Sequence, residues 1–337
     1  MYSVRIKFLF VAISLSLIFS CSNDPIREDI KTEGFAQGTT YSIAYHDSLN
    51  RDLSSGFDSI FSDIDNSMSI YNDSSIISAI NRNDQDCVDS LLARVIAISE
   101  MIYKDTDGAF DITVGPVIRA IGFGKDKTKG IDSAKVRSLL PLIGMNQIAL
   151  DGLKLTKAKP EIQIDVNAVA QGFTVDIIAE FLESKGVKNY IVEVGGEVCA
   201  NGLNSRGTPW VVGLDKPVEN AMPGESIQTK IFLTNRMGLA TSGNYRKFIE
   251  IDGQKYSHTI NPKTGFPVLN SLLSATVIAS TAAHADALAT AFMVKGLEWS
   301  INYVNAHPGV DAYLVFSDNA GKYGVWMSPN LKKNIKD

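Results

Sequence analysis

The amino-acid sequence predicts an α+β protein, in which helices and strands alternate irregularly along the chain. Apolar residues recur every three to four positions in several long segments, which is the period of an amphipathic helix. Short segments rich in β-branched and aromatic residues lie between them and indicate strands. No glycine-rich dinucleotide fingerprint is present, so a Rossmann fold is not predicted. The predicted helices are 54–70, 90–104, 171–185 and 282–295, and the predicted strands are 39–45, 161–165, 190–194, 255–260 and 266–268.

The ends of these elements carry suitable residues. The third and fourth predicted helices are followed by Gly186 and Gly296, and glycine is the preferred residue at a helix C-terminus. The strand over 190–194 stops at Gly195, and the last two strands flank a turn at 261–265 that is rich in helix and strand breakers. The first predicted helix places its apolar residues on one face: Phe57, Ile60, Phe61, Ile64 and Met68.

Composition narrows the class of protein. The 337 residues are 45% hydrophobic and 20% charged, which excludes a disordered chain and a polytopic membrane protein. With 32 basic and 37 acidic residues the net charge is −5, so the chain has no basic excess for a nucleic-acid partner. The sequence contains no G-x-S-x-G, H-E-x-x-H or C-x-x-C, the motifs of common hydrolase, zinc protease and dithiol sites.

The N-terminus predicts secretion followed by lipid attachment. Two basic residues precede an apolar run, residues 8–19, that is too short to span a bilayer but fits a signal peptide. The run ends at Ser20-Cys21, which resembles a bacterial lipobox. We therefore expect a signal peptide at 1–20, a palmitate-bearing Cys21, a polar tether over 21–33 and one folded unit over 34–337. The alternative is an ordinary signal peptide with a chance cysteine.

Two glycine-containing segments, 108–116 and 164–172, are suited to binding a ligand. Glycines permit close approach of the backbone, and Asp111 can accept a hydrogen bond from a ring N–H or a ribose hydroxyl. Asp165 stands where a predicted strand gives way to a helix, and the free backbone groups of that turn can bind a ligand or a metal. The alternative for each segment is a carboxylate or Asn167 that merely caps a turn or helix.

Two further segments are suited to phosphate and metal. Residues 241–246 and 256–262 combine hydroxyls, glycine, arginine and histidine, the donors that hold phosphate oxygens. Alternatively, they form an ordinary polar hairpin. Asp286 and Thr290 are four residues apart on the last predicted helix, so they share one face and offer the oxygen ligands that Mg²⁺ prefers. The alternative is a Thr290 hydroxyl bonded back to the carbonyl of Asp286.

Taken in order, these segments resemble the ApbE family of FAD:protein FMN transferases, and the resemblance covers the whole chain after the signal peptide. The matching motifs are QGTTYSI (37–43), IDNSMSIYNDSSIISAIN (64–81), GAFDITVGP (108–116), IDVNAVAQG (164–172), VEVGGEVCANG (192–202), ATSGNYRKF (240–248), YSHTINPKTGFPV (256–268) and ADALATAFMVKG (285–296). The resemblance implies an α+β fold related to the tunnelling fold, with FAD in a cleft between two subdomains.

The resemblance also implies a reaction and its setting. FAD is split at its pyrophosphate with Mg²⁺, AMP leaves, and FMN is joined through a phosphoester to a threonine or serine of an acceptor protein. Family acceptors include subunits of membrane redox complexes, modified within a short threonine or serine motif. Family members are often periplasmic lipoproteins, which agrees with Cys21 and predicts an anchor on the periplasmic side of the inner, more than the outer, membrane.

The resemblance assigns roles residue by residue. The metal would be held by Asp286, Thr290 and the carbonyl of Ala168. His258 would be the base or the phosphate-orienting group. Residues expected to contact FAD are Tyr71, Ala109, Phe110, Asp111, Asp165, Gln171, Thr241, Ser242, Gly243 and Thr259.

Two substitutions depart from the family pattern. Many relatives have methionine where this chain has Gln37, and lysine or glutamate where it has Gln171. Gln171 adds no charge, which bears on FAD affinity. Two other functions are compatible with the same motifs: an FAD pyrophosphatase, in which water attacks and FMN and AMP are released, and a non-enzymatic FAD-binding lipoprotein.

Overall fold

The computed structural model describes residues 28–122, 131–215, 227–244, 248–251, 254–257, 259–318, 322–333 and 335–336. The helices are α1 (Ser54–Met68), α2 (Ile76–Arg82), α3 (Ser90–Asp105), α4 (Gly115–Ile121), α5 (Ser133–Leu139), α6 (Asn167–Ser184), α7 (Ala282–Lys295) and α8 (Leu297–Ala306). The strands are β1 (Ile30–Ala36), β2 (Thr39–His46), β3 (Ile148–Asp151), β4 (Lys154–Lys157), β5 (Asn189–Val194), β6 (Glu197–Asn201), β7 (Trp210–Asp215), β8 (Ile227–Leu233), β9 (Met237–Gly243), β10 (Phe248–Ile251), β11 (Gln254–Ser257), β12 (Leu272–Ala279), β13 (Asp311–Ser317), β14 (Tyr323–Met327) and β15 (Ile335–Lys336).

An eight-stranded sheet forms the centre of the fold, in the order β1-β2-β5-β6-β9-β12-β13-β14. Every neighbouring pair is antiparallel. A three-stranded sheet, β15-β8-β7, packs on one face, and helices α1, α6 and α7 pack on the other. The predicted α+β class is therefore confirmed, since antiparallel strands and segregated helices define it.

Both faces of the central sheet are covered at β5 and β6. Successive side chains of these strands pack alternately into an apolar cluster on the helical side and one on the side of the small sheet. On β5, Val192 and Val194 pack with the helices, whereas Ile191 packs toward the small sheet. On β6, Cys199 lies on the helical side and Val198 lies on the opposite side. The segment over 190–194 is rich in β-branched and aromatic residues, which is the composition typical of a strand.

Most predicted elements match the structure. The predictions over 54–70, 90–104 and 282–295 correspond to α1, α3 and α7, and those over 39–45 and 190–194 correspond to β2 and β5. Helix α6 begins at Asn167, four residues earlier than predicted. The predicted strand over 255–260 ends at Ser257, and Ile260 makes only an isolated bridge with Pro267. The prediction of a strand over 161–165 is wrong: these residues form no strand.

The N-terminal end of the described chain is fixed to the domain. The Asp29 carboxylate accepts hydrogen bonds from the backbone N (3.0 Å) and Oγ (3.0 Å) of Ser205. Ile30 then pairs with Tyr45 at the start of β1. The tether expected over 21–33 therefore overlaps β1, because residues 30–33 satisfy their backbone in the sheet. The expected signal peptide and Cys21 lie outside the described residues.

The described residues include no helix long and apolar enough to cross a membrane. The two described cysteines are free thiols: Cys87 is exposed and Cys199 is buried.

Candidate active site

Helices α6 and α7 meet at very close range, and glycine makes this possible. A Cβ atom on Gly172 would lie 2.5 Å from the carbonyl oxygen of Ala282, and one on Gly238 of β9 would collide with the backbone of the same residue. The helices run in opposite directions along their contact, since Asp176 lies beside Ala282 whereas Gly172 lies beside Asp286. The N-terminal half of α7 is thus clamped between α6 and the sheet.

Asp286 is a buried carboxylate at this contact. Its Oδ2 accepts a hydrogen bond from the backbone N of Gly172 at 3.2 Å. Burial, above all, raises the pKa of the Asp286 carboxyl to about 8; the Gly172 hydrogen bond opposes this rise and the neighbouring Asp176 adds to it. No lysine or arginine among the described residues forms an ion pair with it. A buried carboxylate without a cation is costly, so this position fits a divalent metal.

The carbonyl of Ala168 converges on the same point. In an α-helix the N–H of residue 172 faces the carbonyl oxygen of residue 168, and this N–H also lies against Asp286. Within the described part of the chain, no three His, Cys, Asp or Glu side chains are placed to hold a metal. A site here would therefore use one carboxylate with carbonyl and hydroxyl oxygens, the donor set that suits Mg²⁺.

One hydroxyl of the sheet lies beside this point. Thr290 lies one helical turn after Asp286, and its Oγ1 is 3.4 Å from Oγ of Ser242 on β9. Thr241, the residue before Ser242, points to the opposite face of β9, where its hydroxyl oxygen is 2.8 Å from that of Thr276. The Thr290 hydroxyl thus contacts a strand, whereas the alternative reading bonded it to its own helix. Gly243 lies next in β9, opposite Ser274.

The segments 108–116 and 162–166 are joined by a backbone hydrogen bond, and a side chain of α2 holds the second segment in place of a strand ladder. Asn81 of α2 donates from Nδ2 to the Ile164 carbonyl (2.8 Å) and accepts from the Ile164 N–H (2.7 Å). The backbone N of Asp165 donates to the carbonyl of Ile112 at 2.7 Å. The strand predicted over 161–165 therefore does not form, because these backbone groups bond to Asn81 and to a 3₁₀ turn.

Asp111 and Asp165 both serve as local caps. Asp111 Oδ1 accepts from the N–H (2.8 Å) and hydroxyl (2.6 Å) of Thr113, and Asp165 Oδ1 accepts from the N–H of Asn167 (3.0 Å). Burial raises the pKa of each carboxyl. The capping alternative accounts for these hydrogen bonds, and the FAD contacts expected of the two residues stay predictions.

The remaining expected FAD contacts differ in accessibility. Tyr71, in the loop between α1 and α2, is 60% exposed and free to stack on a ring. Ala109 and Phe110 are buried, which leaves their backbone as the part able to meet a ligand. Gln171 lies against Gly195, at the hairpin between β5 and β6. Gln37 is the other residue that departs from the family pattern. Its Nε2 donates to the hydroxyl of Thr174 at 2.7 Å, while its Oε1 is buried without a partner.

The turn after β11 is tied to the 108–116 segment. Thr259 is buried, and its carbonyl accepts from the N–H of Val268 at 3.0 Å. Lys263 Nζ lies 2.7 Å from Oδ2 of Asp107. His258, the expected base, falls outside the described residues, as do Tyr245 and Arg246.

Two residues that the sequence analysis missed hold this arrangement together. The buried Asp176 accepts hydrogen bonds from the N–H groups of Ala282 (2.9 Å) and Ala283 (2.8 Å), and burial raises its pKa to about 6. The available signal was an acid between apolar residues, Val175 and Ile177, in the middle of the helix. Asn81 gave no such signal, since its partner lies 83 residues away in the sequence.

Comparisons with known proteins are consistent with this geometry. The sequence profile of the ApbE family matches residues 37–314. The chain is 34% identical over 326 residues to the FAD:protein FMN transferase of Haemophilus influenzae, covering 92% of both chains. It is 31% identical to that of Vibrio cholerae, covering 94% of this chain and 96% of the relative.

Solved structures agree in fold. The flavin transferase ApbE from Vibrio cholerae superposes with a TM-score of 0.81 at 30% identity, over 91% of this chain and 99% of that one. The apo flavinyl transferase ApbE of Pseudomonas stutzeri gives a TM-score of 0.80 at 28% identity, over 91% of this chain and 96% of that one.

Proposed function

This chain belongs to the ApbE family, and we propose from that membership that it transfers FMN from FAD to a hydroxyl group of a second protein and releases AMP. It is therefore an enzyme, an FAD:protein FMN transferase. The observation that carries the proposal is the buried Asp286 carboxylate, which accepts a hydrogen bond from the Gly172 N–H and forms no ion pair with a lysine or arginine among the described residues.

We propose Mg²⁺ as the ion for this position. Asp286, Thr290 and the carbonyl of Ala168 would hold it, since hard oxygen donors are the ligands that it prefers. Bound there, Mg²⁺ would supply positive charge to offset the negative charge of the FAD pyrophosphate. The raised pKa of Asp286 supports this assignment, because a carboxylate that is costly to ionise alone gains most from a metal.

The residues of the chain then orient the reacting groups. The acceptor hydroxyl oxygen attacks the phosphorus of the FMN half, the bond from that phosphorus to the bridging oxygen breaks, and AMP departs with that oxygen. His258 takes the proton of the attacking hydroxyl. Ser242, at the end of β9, donates a hydrogen bond to a phosphate oxygen. Thr241, whose hydroxyl lies beside Thr276 on the opposite face of β9, contacts FAD through its backbone. Catalysis of this kind depends mainly on positioning and charge stabilisation.

The flavin half of FAD is assigned to the opposite side of the site. The ring of Tyr71 stacks on the flavin, and the backbone of Ala109 and Phe110 contacts it. Asp111, Asp165, Gln171, Gly243 and Thr259 complete the FAD contacts. FAD would then bridge the loop segments and the α6–α7 contact.

The setting of the reaction is also part of the proposal. The lipobox-like sequence supports acylation of Cys21 and anchoring on the periplasmic side of a bacterial membrane, the inner one. An acceptor in the same place is a subunit of a membrane redox complex that carries a threonine or serine in a short flavinylation motif.

The transfer is tested with purified protein, FAD, Mg²⁺ and an acceptor fragment that carries the threonine motif. We expect flavin fluorescence on the acceptor band after denaturing electrophoresis. One AMP should be released for each FMN that is attached to the acceptor. EDTA and Asp286→Asn should abolish the band, whereas Asp89→Ala, which removes a helix cap on α3, should keep it. AMP and free FMN with a dark acceptor would instead identify a pyrophosphatase, and bound FAD without either product would identify a binding protein.

The anchor is tested in bacterial cells fed labelled palmitate. The wild-type chain should carry the label and sediment with membranes, and Cys21→Ala should do neither. Cys87→Ala is the matched control, since that thiol is exposed on the folded domain. Equal labelling of the wild type and Cys21→Ala would contradict the lipid assignment.

A further inference from the structure

We infer that Asp176 is a positioning residue that fixes the register of α7 against α6, and thereby brings Asp286 and Thr290 to the Ala168 carbonyl. The inference rests on the proposed function, since it concerns the same Mg²⁺ position. It assigns no contact between Asp176 and the substrate.

The first step is an account of the N-terminus of α7. The N–H groups of the first three helical residues have no partner within the helix and must be satisfied elsewhere. In α7 these residues are Ala282, Ala283 and His284, since the Ala285 N–H already makes the first helical bond, to the Thr281 carbonyl at 3.1 Å. The His284 N–H donates to Oγ1 of Thr281 at 3.2 Å, whereas the Ala282 and Ala283 N–H groups both donate to Asp176. Two of these three N–H groups are therefore capped by a different helix.

The second step is that, among the described residues, the Asp176 carboxylate forms hydrogen bonds only with α7. Both of its carboxylate oxygens accept from α7, one N–H each. The nearby Arg236 directs its Nε to Glu183 (2.9 Å) and an Nη to the Ser280 carbonyl (3.3 Å). A carboxylate at a helix N-terminus also interacts favourably with the helix dipole. The side chain thus acts on the position of α7 itself.

The third step is the alignment of two stripes of residues. On α6 the residues that contact α7, Gly172 and Asp176, are four apart, and Ala168 lies four residues before Gly172 on the same face. On α7 the facing residues are also four apart: Ala282, Asp286 and Thr290. The helices are antiparallel here, so fixing Asp176 to Ala282 places Asp286 at Gly172 and directs Thr290 toward Ala168.

The fourth step is that Asp176 provides the main directional contact between the two helices: of the three side-chain hydrogen bonds that join α6 and α7 among the described residues, Asp176 accepts two. Gly172 offers no side chain to interlock with α7, and the contact between Gly172 and Asp286 is a single hydrogen bond of 3.2 Å. Removing Asp176 would leave two buried N–H groups unpaired, and α7 could recover partners only by moving. Because Asp286 lies one turn along the same rigid helix, it would move as well.

The test measures Mg²⁺ binding by isothermal titration calorimetry with full-length protein, without turnover. Asp176→Ala should raise the Mg²⁺ dissociation constant by about 10- to 100-fold, the usual effect of losing a residue that orients a metal ligand. Asp176→Asn keeps one acceptor oxygen and should have a smaller effect in the same direction. In the transfer assay both should raise the KM for Mg²⁺ more than they lower kcat.

The matched control is Asp89→Ala. Asp89 caps α3, accepting from the Leu92 N–H and the Ser67 hydroxyl, so its loss destabilises a helix end away from the metal position. It should lower the melting temperature and leave the Mg²⁺ dissociation constant unchanged. Should Asp176→Ala fail to fold, Asp176→Asn provides the comparison.

If the wild type binds Mg²⁺ and both Asp176 variants bind it with the same affinity, the inference about Asp176 is overturned and the metal assignment stands. A wild type that binds no Mg²⁺ would overturn the metal assignment of the proposed function, and the inference with it.

Discussion

The two halves of the candidate site are built in different ways. At the α6–α7 contact, residues four apart on two helices face each other, glycine lets the helices touch, and buried carboxylates provide the polar contacts. On the flavin side, irregular segments are held by isolated side chains such as Asn81 and by the exposed pair of Lys263 and Asp107. The first half depends on helix register, and the second depends on separate hydrogen bonds.

The difference predicts how each half responds to change. A shift in either helix moves every ligand on it, so the helical half should lose metal binding as a unit. On the flavin side, each substitution should release one segment only, so FAD affinity should fall by a limited amount for each. Four measurements test this contrast.

The largest expected effect is on stability without metal. The pKa of Asp286 is raised to about 8 from an ordinary value of 3.8, so between these values the folded chain keeps a proton that the unfolded chain releases. The free energy of unfolding should therefore fall as pH rises from 4 to 8, by up to about 1.4 kcal/mol per pH unit. Chemical denaturation in EDTA measures this slope. It should be shallower in Asp286→Asn, and Mg²⁺ should restore the wild type at pH 8; equal slopes would contradict the burial argument.

The next effect comes from Gly172→Ala. The new Cβ meets backbone atoms of α7 that cannot rotate away, so we expect a loss of about 1–3 kcal/mol in the free energy of unfolding. The Mg²⁺ dissociation constant should rise and FAD affinity should change less. The control is Gly56→Ala on α1, where the added Cβ meets the Phe181 side chain, which can turn. An unchanged Mg²⁺ affinity in Gly172→Ala would show that close helix contact is not needed.

Asn81→Ala should weaken FAD binding more than Mg²⁺ binding, the reverse of the effect expected for Gly172→Ala. It leaves the N–H and carbonyl of Ile164 unpaired, which costs about 1–3 kcal/mol, and it frees the segment that carries Asp165. We expect FAD to bind about tenfold more weakly, a change of about 1.4 kcal/mol, with Mg²⁺ affinity retained. Fluorescence titration measures the first and calorimetry the second. Asn83→Gly is the control: it removes an exposed bond to Pro160 from the same helix end and keeps the left-handed backbone at φ 65°.

Lys263→Gln should have the smallest effect. Its partner Asp107 is 79% exposed, and exposed ion pairs contribute about 0–1 kcal/mol. We expect a small loss of FAD affinity at low salt that disappears at high salt, because salt already screens the pair. Lys31→Gln breaks a similarly exposed pair with Glu33 on β1 and should leave FAD affinity unchanged. A tenfold loss in Lys263→Gln at high salt would mean that Lys263 contacts the ligand itself.

The same contrast explains what the sequence could predict. Asp286 and Thr290 were found because their spacing is local and because α7 has clear ends, Thr281 before it and Gly296 after it. Helix α6 was predicted to begin at residue 171, four residues late, and residues 161–165 before it were predicted as a strand. That strand does not form, because the backbone of Ile164 is satisfied by Asn81, a residue from another part of the chain. Asp176 was missed because its partners become visible only when two helices are placed together.

The hydrogen bonds between Asp29 and Ser205 set the length of chain that could link the domain to a lipid on Cys21. With the proposed lipid on Cys21, seven residues separate the anchor from Asp29, where the chain joins the domain. The eight steps from Cys21 to Asp29 span at most about 28 Å when fully extended. The domain would then be confined to a thin layer beside the bilayer, where a membrane-bound acceptor would be present at high effective concentration. Modest intrinsic affinity for the acceptor would then be sufficient, and selectivity would come partly from sharing the same membrane face.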